Sequence, residues 1–223
     1  MPLLKMPKEL TDGGYAVSAY DKIDERFGNM YEFEKILDLF REAGISICLD
    51  FVINHTSKEH KWALIAKKGI PEYENMYFIY NTDDIPKIFE KTVPEVFPKV
   101  SPGNFTYYSD IDKYVMTSFY GFQWDLNYHN PIVFNEIAKS ILNLANKGVE
   151  IFRLDAIPFM WKELGTTYRN LPKIHTLVQT YKLISKIVCP GVIFKGEAIV
   201  SPDEILSYFG GLEGKECHAM YNA

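Results

Sequence analysis

Amphipathic helical segments and β-rich runs alternate along this chain, and that alternation limits its possible folds more than any other feature. Apolar positions Phe33, Ile36, Leu37, Leu39 and Phe40 recur at helical spacing in MYEFEKILDLFREA, and Gly44 stands where a helix would end. The β-rich run ISICLDFVIN follows and closes on His55. PIVFNEIAKSILNLANK predicts a second helix over 131–147, with proline near its first turn and Gly148 at its end. VEIFRLDAI is the next β run, residues 171–188 predict a third helix, and VIFKGEAIV is the run after it. A short helix over 202–209 and a last strand in ECHAMYNA complete the order, and MPLLKM at the start reads as a short buried strand. Helices that serve as crossovers imply a parallel sheet.

The β runs are apolar on both faces, as parallel strands covered by helices must be. Their polar exceptions gather at the C-terminal ends: Asp50, Asn54 and His55, then Arg153 and Asp155, then Lys195 and Glu197. Active sites of barrels and of open α/β sheets lie at that end. No GxGxxG or GxxxxGK[ST] pattern is present, which removes most of the case for a nucleotide-binding sheet. Residues 56 to about 128 break the alternation, with prolines at 71, 86, 94, 98 and 102 and aromatic residues without a period. This stretch is expected to be a long, partly irregular insertion, and loops of such length are commonly functional.

IFRLDAI places two full charges in an apolar strand. Ionised groups taken from water cost several kcal/mol unless paired. Two apart on one strand, Arg153 and Asp155 point to the same face. The arginine is expected to hold the carboxylate ionised and lower its pKa. Such a carboxylate serves either as a nucleophile or as half of a structural ion pair. Glu197 ends the next β run, so the two carboxylates would face one cleft as an acid–base and nucleophile pair; otherwise Glu197 pairs with Lys195. His55 is open between metal ligand, base, hydrogen-bond donor and structural residue. Asp12 sits in DGG, ordinary turn chemistry, and Tyr15 and Phe119 either pack in the core or stack on a ligand. His60, His129, His175 and His218 have no partner spacing and read as structural.

Taken together, the motifs resemble the α-amylase clan of glycoside hydrolases, built on a (β/α)8 TIM barrel. DFVINH resembles the clan's third-strand motif, FRLDAI its fourth-strand nucleophile motif and FKGEAIV its fifth-strand acid/base motif, in clan order between residues 50 and 200. Within the clan, TDGGYAVSAY, FQWDLNYHNP, LANKGVEIFRLDAI and FKGEAIVSPDEI are similar to the amylosucrases. The resemblance implies an α/β chain forming a partial barrel, about strands two to six. Residues 1–55 and 129–223 would form the barrel and 56–128 a domain B-like insertion after strand three. It implies Asp155 as catalytic nucleophile, Glu197 as general acid/base and Arg153 as the residue positioning the nucleophile. Asp12 and His55 would bind the donor glucose, between aromatic walls from Tyr15 and Phe119. It implies sucrose as glucosyl donor, an α-1,4-glucan as product, fructose as leaving group, and neither metal nor other cofactor. Gly196 and Ala19 depart from the pattern, which commonly has a serine and an acidic residue there.

A complete barrel takes about 250 residues, so these 223, with the insertion among them, leave room for about five strands. The clan's third acidic residue, after strand seven, lies outside them. The chain is therefore expected to be an internal piece, with negligible activity alone. Alternatives within the clan are a sucrose hydrolase, a sucrose phosphorylase or an α-glucosidase; outside it, a non-catalytic carbohydrate-binding remnant. A net charge of −5 without a basic stripe argues against nucleic acid as a partner. No apolar run approaches the roughly 18 residues of a membrane span. Three scattered cysteines, Cys48, Cys189 and Cys217, predict free thiols and a cytoplasmic location.

Overall fold

A computed structural model describes residues 1–8 and 12–221. Two short strands, β1 (Leu4–Lys5) and β2 (Ala19–Ile23), precede α1 (Met30–Glu42) and β3 (Cys48–Val52). The insertion holds β4 (His55–Ser57), α2 (Lys61–Ala66), α3 (Pro71–Glu74), β5 (Ile79–Tyr80), α4 (Asp84–Phe89), β6 (Phe105–Tyr108), β7 (Lys113–Met116) and β8 (Gln123–Asp125). Regular alternation then resumes with α5 (Pro131–Asn146), β9 (Ile151–Asp155), α6 (Pro172–Val188), β10 (Ile193–Gly196), α7 (Pro202–Ile205) and β11 (Ala219–Met220).

The central sheet is parallel, in the order β11-β10-β9-β3, as expected of consecutive barrel strands. Its helices begin and end where local chemistry says they should. Asn29 and Glu32 form a reciprocal capping box at the start of α1. Just past its end, Gly44 takes φ +75°, a left-handed conformation a side chain would oppose. Asn130 caps α5 through the Ile132 N–H, and proline opens both α5 and α6. The inner faces of α5 and α6 bury Val133, Ile137, Ile141, Ile174 and Val178 against Phe152, Leu154 and Phe194 of the sheet.

Several elements differ from expectation. Only Leu4 and Lys5 of MPLLKM are strand, and they pair antiparallel with β2 instead of joining the parallel sheet. β2 itself, AYDKI, has both Asp21 and Lys22 exposed and no apolar run to announce it. On α1, Phe33 and Leu37 are buried, whereas Ile36, Leu39 and Phe40 are exposed.

The insertion is more ordered than its prolines imply. β5, β7 and β6 form an antiparallel sheet, and β4 pairs with β8 across the expected boundary at residue 55. Its aromatic residues build cores. Trp124 is fully buried and meets Tyr77 and Tyr108 edge-on at ring separations of 5.4 and 5.2 Å. Phe78, Phe89, Val93, Met116 and Tyr168 form a second cluster.

A buried ion pair joins the insertion to the sheet. Lys162, on the segment after β9, lies 2.9 Å from Asp125 of β8, and both side chains are completely buried. Lys162 Nζ also donates to Asn54 Oδ1 at 2.6 Å, and Asp125 accepts from the Ser118 amide and hydroxyl. Every charge in this cluster is met by a partner, the condition under which buried ions are tolerated.

Lys162→Met strands the Asp125 carboxylate without a cation and is expected to destabilise the complete protein by about 3–5 kcal/mol. Asp125→Leu added to Lys162→Met should recover much of that loss. Urea unfolding of the two variants against wild type checks both statements.

Candidate active site

The register of the sheet assembles the site. Asp50, Arg153 and Lys195 occupy one row across β3, β9 and β10, because Arg153 is the partner of Asp50 on one side and of Lys195 on the other. Arg153 Nη1 donates to Asp50 Oδ1 at 2.7 Å and to Asp155 Oδ1 at 2.8 Å. Its Nη2 stands 4.0 Å from Glu197 Oε1. One guanidinium therefore serves three carboxylates. Tyr15 lies over the same guanidinium at 5.5 Å.

Glu197 follows the end of β10 and is held from the main chain of the neighbouring strand. The Ala156 N–H donates to Glu197 Oε2 at 2.9 Å, and the Ile157 N–H to the Glu197 carbonyl at 3.3 Å. Ala156 reaches this position with φ +55°, a left-handed conformation uncommon outside glycine, immediately after Asp155. Lys195 does not pair with Glu197; its ammonium lies over the Tyr221 ring at 4.3 Å. Gly196 has no room for a side chain: a Cβ there would come within 2.6 Å of Met220 Sδ and 2.9 Å of Cys217 Sγ. That crowding accounts for glycine at this position.

The Asp155 carboxyl runs against the expectation of a lowered pKa. Burial and the Glu197 charge raise it to about 7, although Arg153 pulls the other way. A single arginine divided among three carboxylates does not offset the loss of solvation.

His55 is buried, and burial lowers its pKa to about 4, which leaves the imidazole neutral near pH 7. Its tautomer follows from its neighbours. Lys162 can only donate, so Asn54 turns Oδ1 to it and Nδ2 to His55 Nδ1, at 3.2 Å. Nδ1 is then the acceptor, and Nε2 carries the proton. Among the described residues that Nε2 has no partner in good hydrogen-bond geometry, although the Tyr15 main chain lies close by. Asp12 accepts the amides of Tyr15 and Ala16 at 2.9 and 3.0 Å, and Gln123 donates to its other oxygen. Phe119 packs against His55 and Phe159, with ring separations of 5.1 and 5.0 Å.

Asp12, Tyr15, His55, Phe119, Arg153, Asp155 and Glu197 all line one cavity of about 580 Å³. The structure thus brings together the seven residues expected to be catalytic or substrate-binding, while Asp50, Asn54 and Lys195 of the strand ends lie outside the lining. Phe159, Arg169 and Gln123 line it too and were not singled out. Gln123 lies in the quoted FQWDL. Phe159 and Arg169 lie on the connection after β9, where barrel sites draw their loops. The four remaining histidines have structural partners: His60 caps α2, His129 stacks on Trp161, His175 pairs with Glu216, and His218 accepts the Phe194 amide.

The parallel strands and the carboxylate pair at their ends define an α/β barrel segment with an acidic pocket. The chain belongs to the alpha-amylase family: residues 1–223 match its catalytic domain. It is 31% identical over 222 residues to a trehalose synthase of Pimelobacter sp. (strain R48), covering 96% of this chain and 38% of that protein. It is 32% identical over 212 residues to a glucosylglycerate phosphorylase of Spirochaeta thermophila, covering 95% and 34%. An isomaltulose synthase variant from Erwinia rhapontici NX5, solved with its natural substrate sucrose, superposes with a TM-score of 0.83 at 23% identity. That match covers 99% of this chain and 41% of the other. The chain thus spans little more than a third of the length of these curated relatives.

The raised Asp155 carboxyl has a consequence for stability. Between its ordinary value of 3.8 and about 7, the folded protein keeps a proton that the unfolded chain has released. Stability is therefore lost as pH rises through that window. Asp155→Asn removes the cost and is expected to be more stable than wild type by about 1–2 kcal/mol at pH 8, with no gain at pH 4. Calorimetric melting of the complete protein from pH 4 to 8.5 measures the difference.

Proposed function

We propose that the protein carrying this chain transforms α-glucosides by a retaining double displacement. The observation that carries the reading is the placement of Asp155 and Glu197 on adjacent strands, in one pocket, around one guanidinium. Retaining pairs hold their carboxyl groups about 5–5.5 Å apart, and one guanidinium 2.8 Å from Asp155 and 4.0 Å from Glu197 is compatible with such a pair. Asp155 attacks the anomeric carbon while Glu197 gives its proton to the departing oxygen. The glycosidic bond breaks, and a glucosyl ester forms on Asp155. Glu197 then takes the proton of an acceptor hydroxyl as its oxygen attacks the same carbon and Asp155 departs. The transition states are cationic at the sugar, so surplus carboxylate charge and the Tyr15 and Phe119 rings favour them.

In this reading Asp12 and the His55 Nε2–H bind donor hydroxyls, and Arg153 orients the nucleophile. Residues 56–128 act as the domain B-like wall of the pocket, through Phe119 and Gln123. The names of the relatives, trehalose synthase and glucosylglycerate phosphorylase, point to small glucosides as donors. Sucrose is the donor we place first, with fructose leaving and an α-1,4-glucan chain growing. This is the amylosucrase reaction that the motifs resemble.

The complete protein is expected to release fructose from sucrose and lengthen glucan. Asp155→Asn should lower that rate at least about a thousandfold. Glu197→Gln should fail on sucrose yet retain much more activity on α-glucosyl fluoride, whose leaving group needs no proton. Near-normal turnover by Asp155→Asn would overturn the assignment of roles. Activity on other α-glucosides without fructose release would overturn sucrose alone.

A further inference from the structure

Arg169 lies on the connection between β9 and α6 and lines the cavity that holds Asp155 and Glu197. The mechanism proposed above gives it no task. It is only half-buried, with its guanidinium 5.0 Å from the Phe159 ring. Among the described residues one hydrogen bond anchors it, from Nη2 to the Pro94 carbonyl at 2.8 Å, and its buried Nε has no partner. Among the described residues no carboxylate pairs with it, although Glu95 lines the same cavity. Arg153 differs in this respect, being paired with Asp50 and Asp155.

The backbone on both sides of Arg169 is held in a costly conformation. Tyr168 has φ +41° and Asn170 φ +58°. A left-handed tyrosine is a conformation that persists only when its surroundings over-determine it. They do so here. The buried Tyr168 hydroxyl bonds Asn104 Oδ1 at 2.8 Å and Ser118 Oγ at 2.9 Å. The Asn170 amide bonds Glu204 at 2.9 Å and the Tyr208 hydroxyl at 2.6 Å, and its N–H donates to the Pro158 carbonyl at 2.9 Å. Two strained residues, each tied down independently, present the arginine between them to the pocket.

In the reading above Asp12 and His55 bind the donor glucosyl unit, and that unit is neutral, so an anion bound in this cavity belongs to the other partner. We propose that Arg169 recognises an anionic group, carboxylate or phosphate, on the acceptor or leaving group. An unpaired guanidinium on an aromatic wall is a planar fork of donors matched to such anions, and binding one repays its incomplete solvation. A wholly neutral polyol would leave that charge uncompensated. The inference rests on the retaining transfer reading and not on sucrose as donor: fructose and glucan are neutral, and an anionic second substrate would stand in their place.

The test uses the complete protein with α-glucosyl fluoride as donor and a matched pair of acceptors. Lactate and propane-1,2-diol differ by a carboxylate against a hydroxymethyl group; inorganic phosphate is the third acceptor. Wild type should transfer to lactate or to phosphate in preference to the diol, and the preferred anion identifies the source. In Arg169→Leu the ratio of kcat/KM for the anion over the diol should fall at least about tenfold, and Arg169→Lys should restore part of it. The ratio is insensitive to folding losses and to the shared donor step. A wild-type ratio near one, or a ratio that Arg169→Leu leaves unchanged, overturns the inference. Fluoride release that survives Asp155→Asn would overturn the underlying reading instead.

Discussion

Everything at this site turns on how one guanidinium is shared. Arg153 contacts Asp50 and Asp155 directly and approaches Glu197, so one guanidinium is shared by three carboxylates in a largely buried pocket. The imbalance appears in the Asp155 carboxyl, which burial and Glu197 raise in spite of the arginine. A surplus of negative charge is destabilising at rest and favourable only when positive charge develops in the pocket.

A second buried pair has the opposite character. Lys162 and Asp125 are matched one to one, with Asn54, Ser118 and the Phe159 carbonyl satisfying what remains. This pair settles how the insertion meets the sheet. Through Asn54 it also sets which His55 nitrogen carries the proton. The structural pair is matched one to one, whereas at the pocket three carboxylates share Arg153. That contrast separates the two pairs more clearly than burial does, since both lie largely out of water.

The features legible in the sequence are those encoded locally. Helical spacing located α5 and α6 within a residue or two of their observed ends, and period-two geometry put Arg153 and Asp155 on one face. Less visible was anything joining distant residues. Asp125 and Lys162 belong to segments with no common period, and nothing local marks them as a pair. The insertion's prolines suggested irregularity because its short strands pair with segments far along the chain, as β4 does with β8. The pKa of Asp155 is illegible for a related reason: Arg153 stands two residues away in the sequence, but burial, the largest influence on that carboxyl, comes from packing of distant segments around it.

The backbone after Asp155 explains how the carboxylate pair holds its geometry. Three of the non-glycine residues with positive φ, Ala156, Tyr168 and Asn170, lie on the connection from β9 to α6. The turn at Ala156 aims two successive N–H groups at Glu197, one to its side chain and one to its carbonyl. The Glu197 amide in turn donates to the Leu154 carbonyl at 2.9 Å, just before Asp155. The two acidic residues are thus registered by main-chain bonds running in both directions between adjacent strand ends, and Arg153 only adjusts their side chains. Main-chain atoms carry no rotamer freedom, so a pair fixed this way gives up little conformational entropy when a substrate enters. A strained alanine at the turn is the local cost of that precision, and it falls where a relaxed turn would lead the chain away from Glu197.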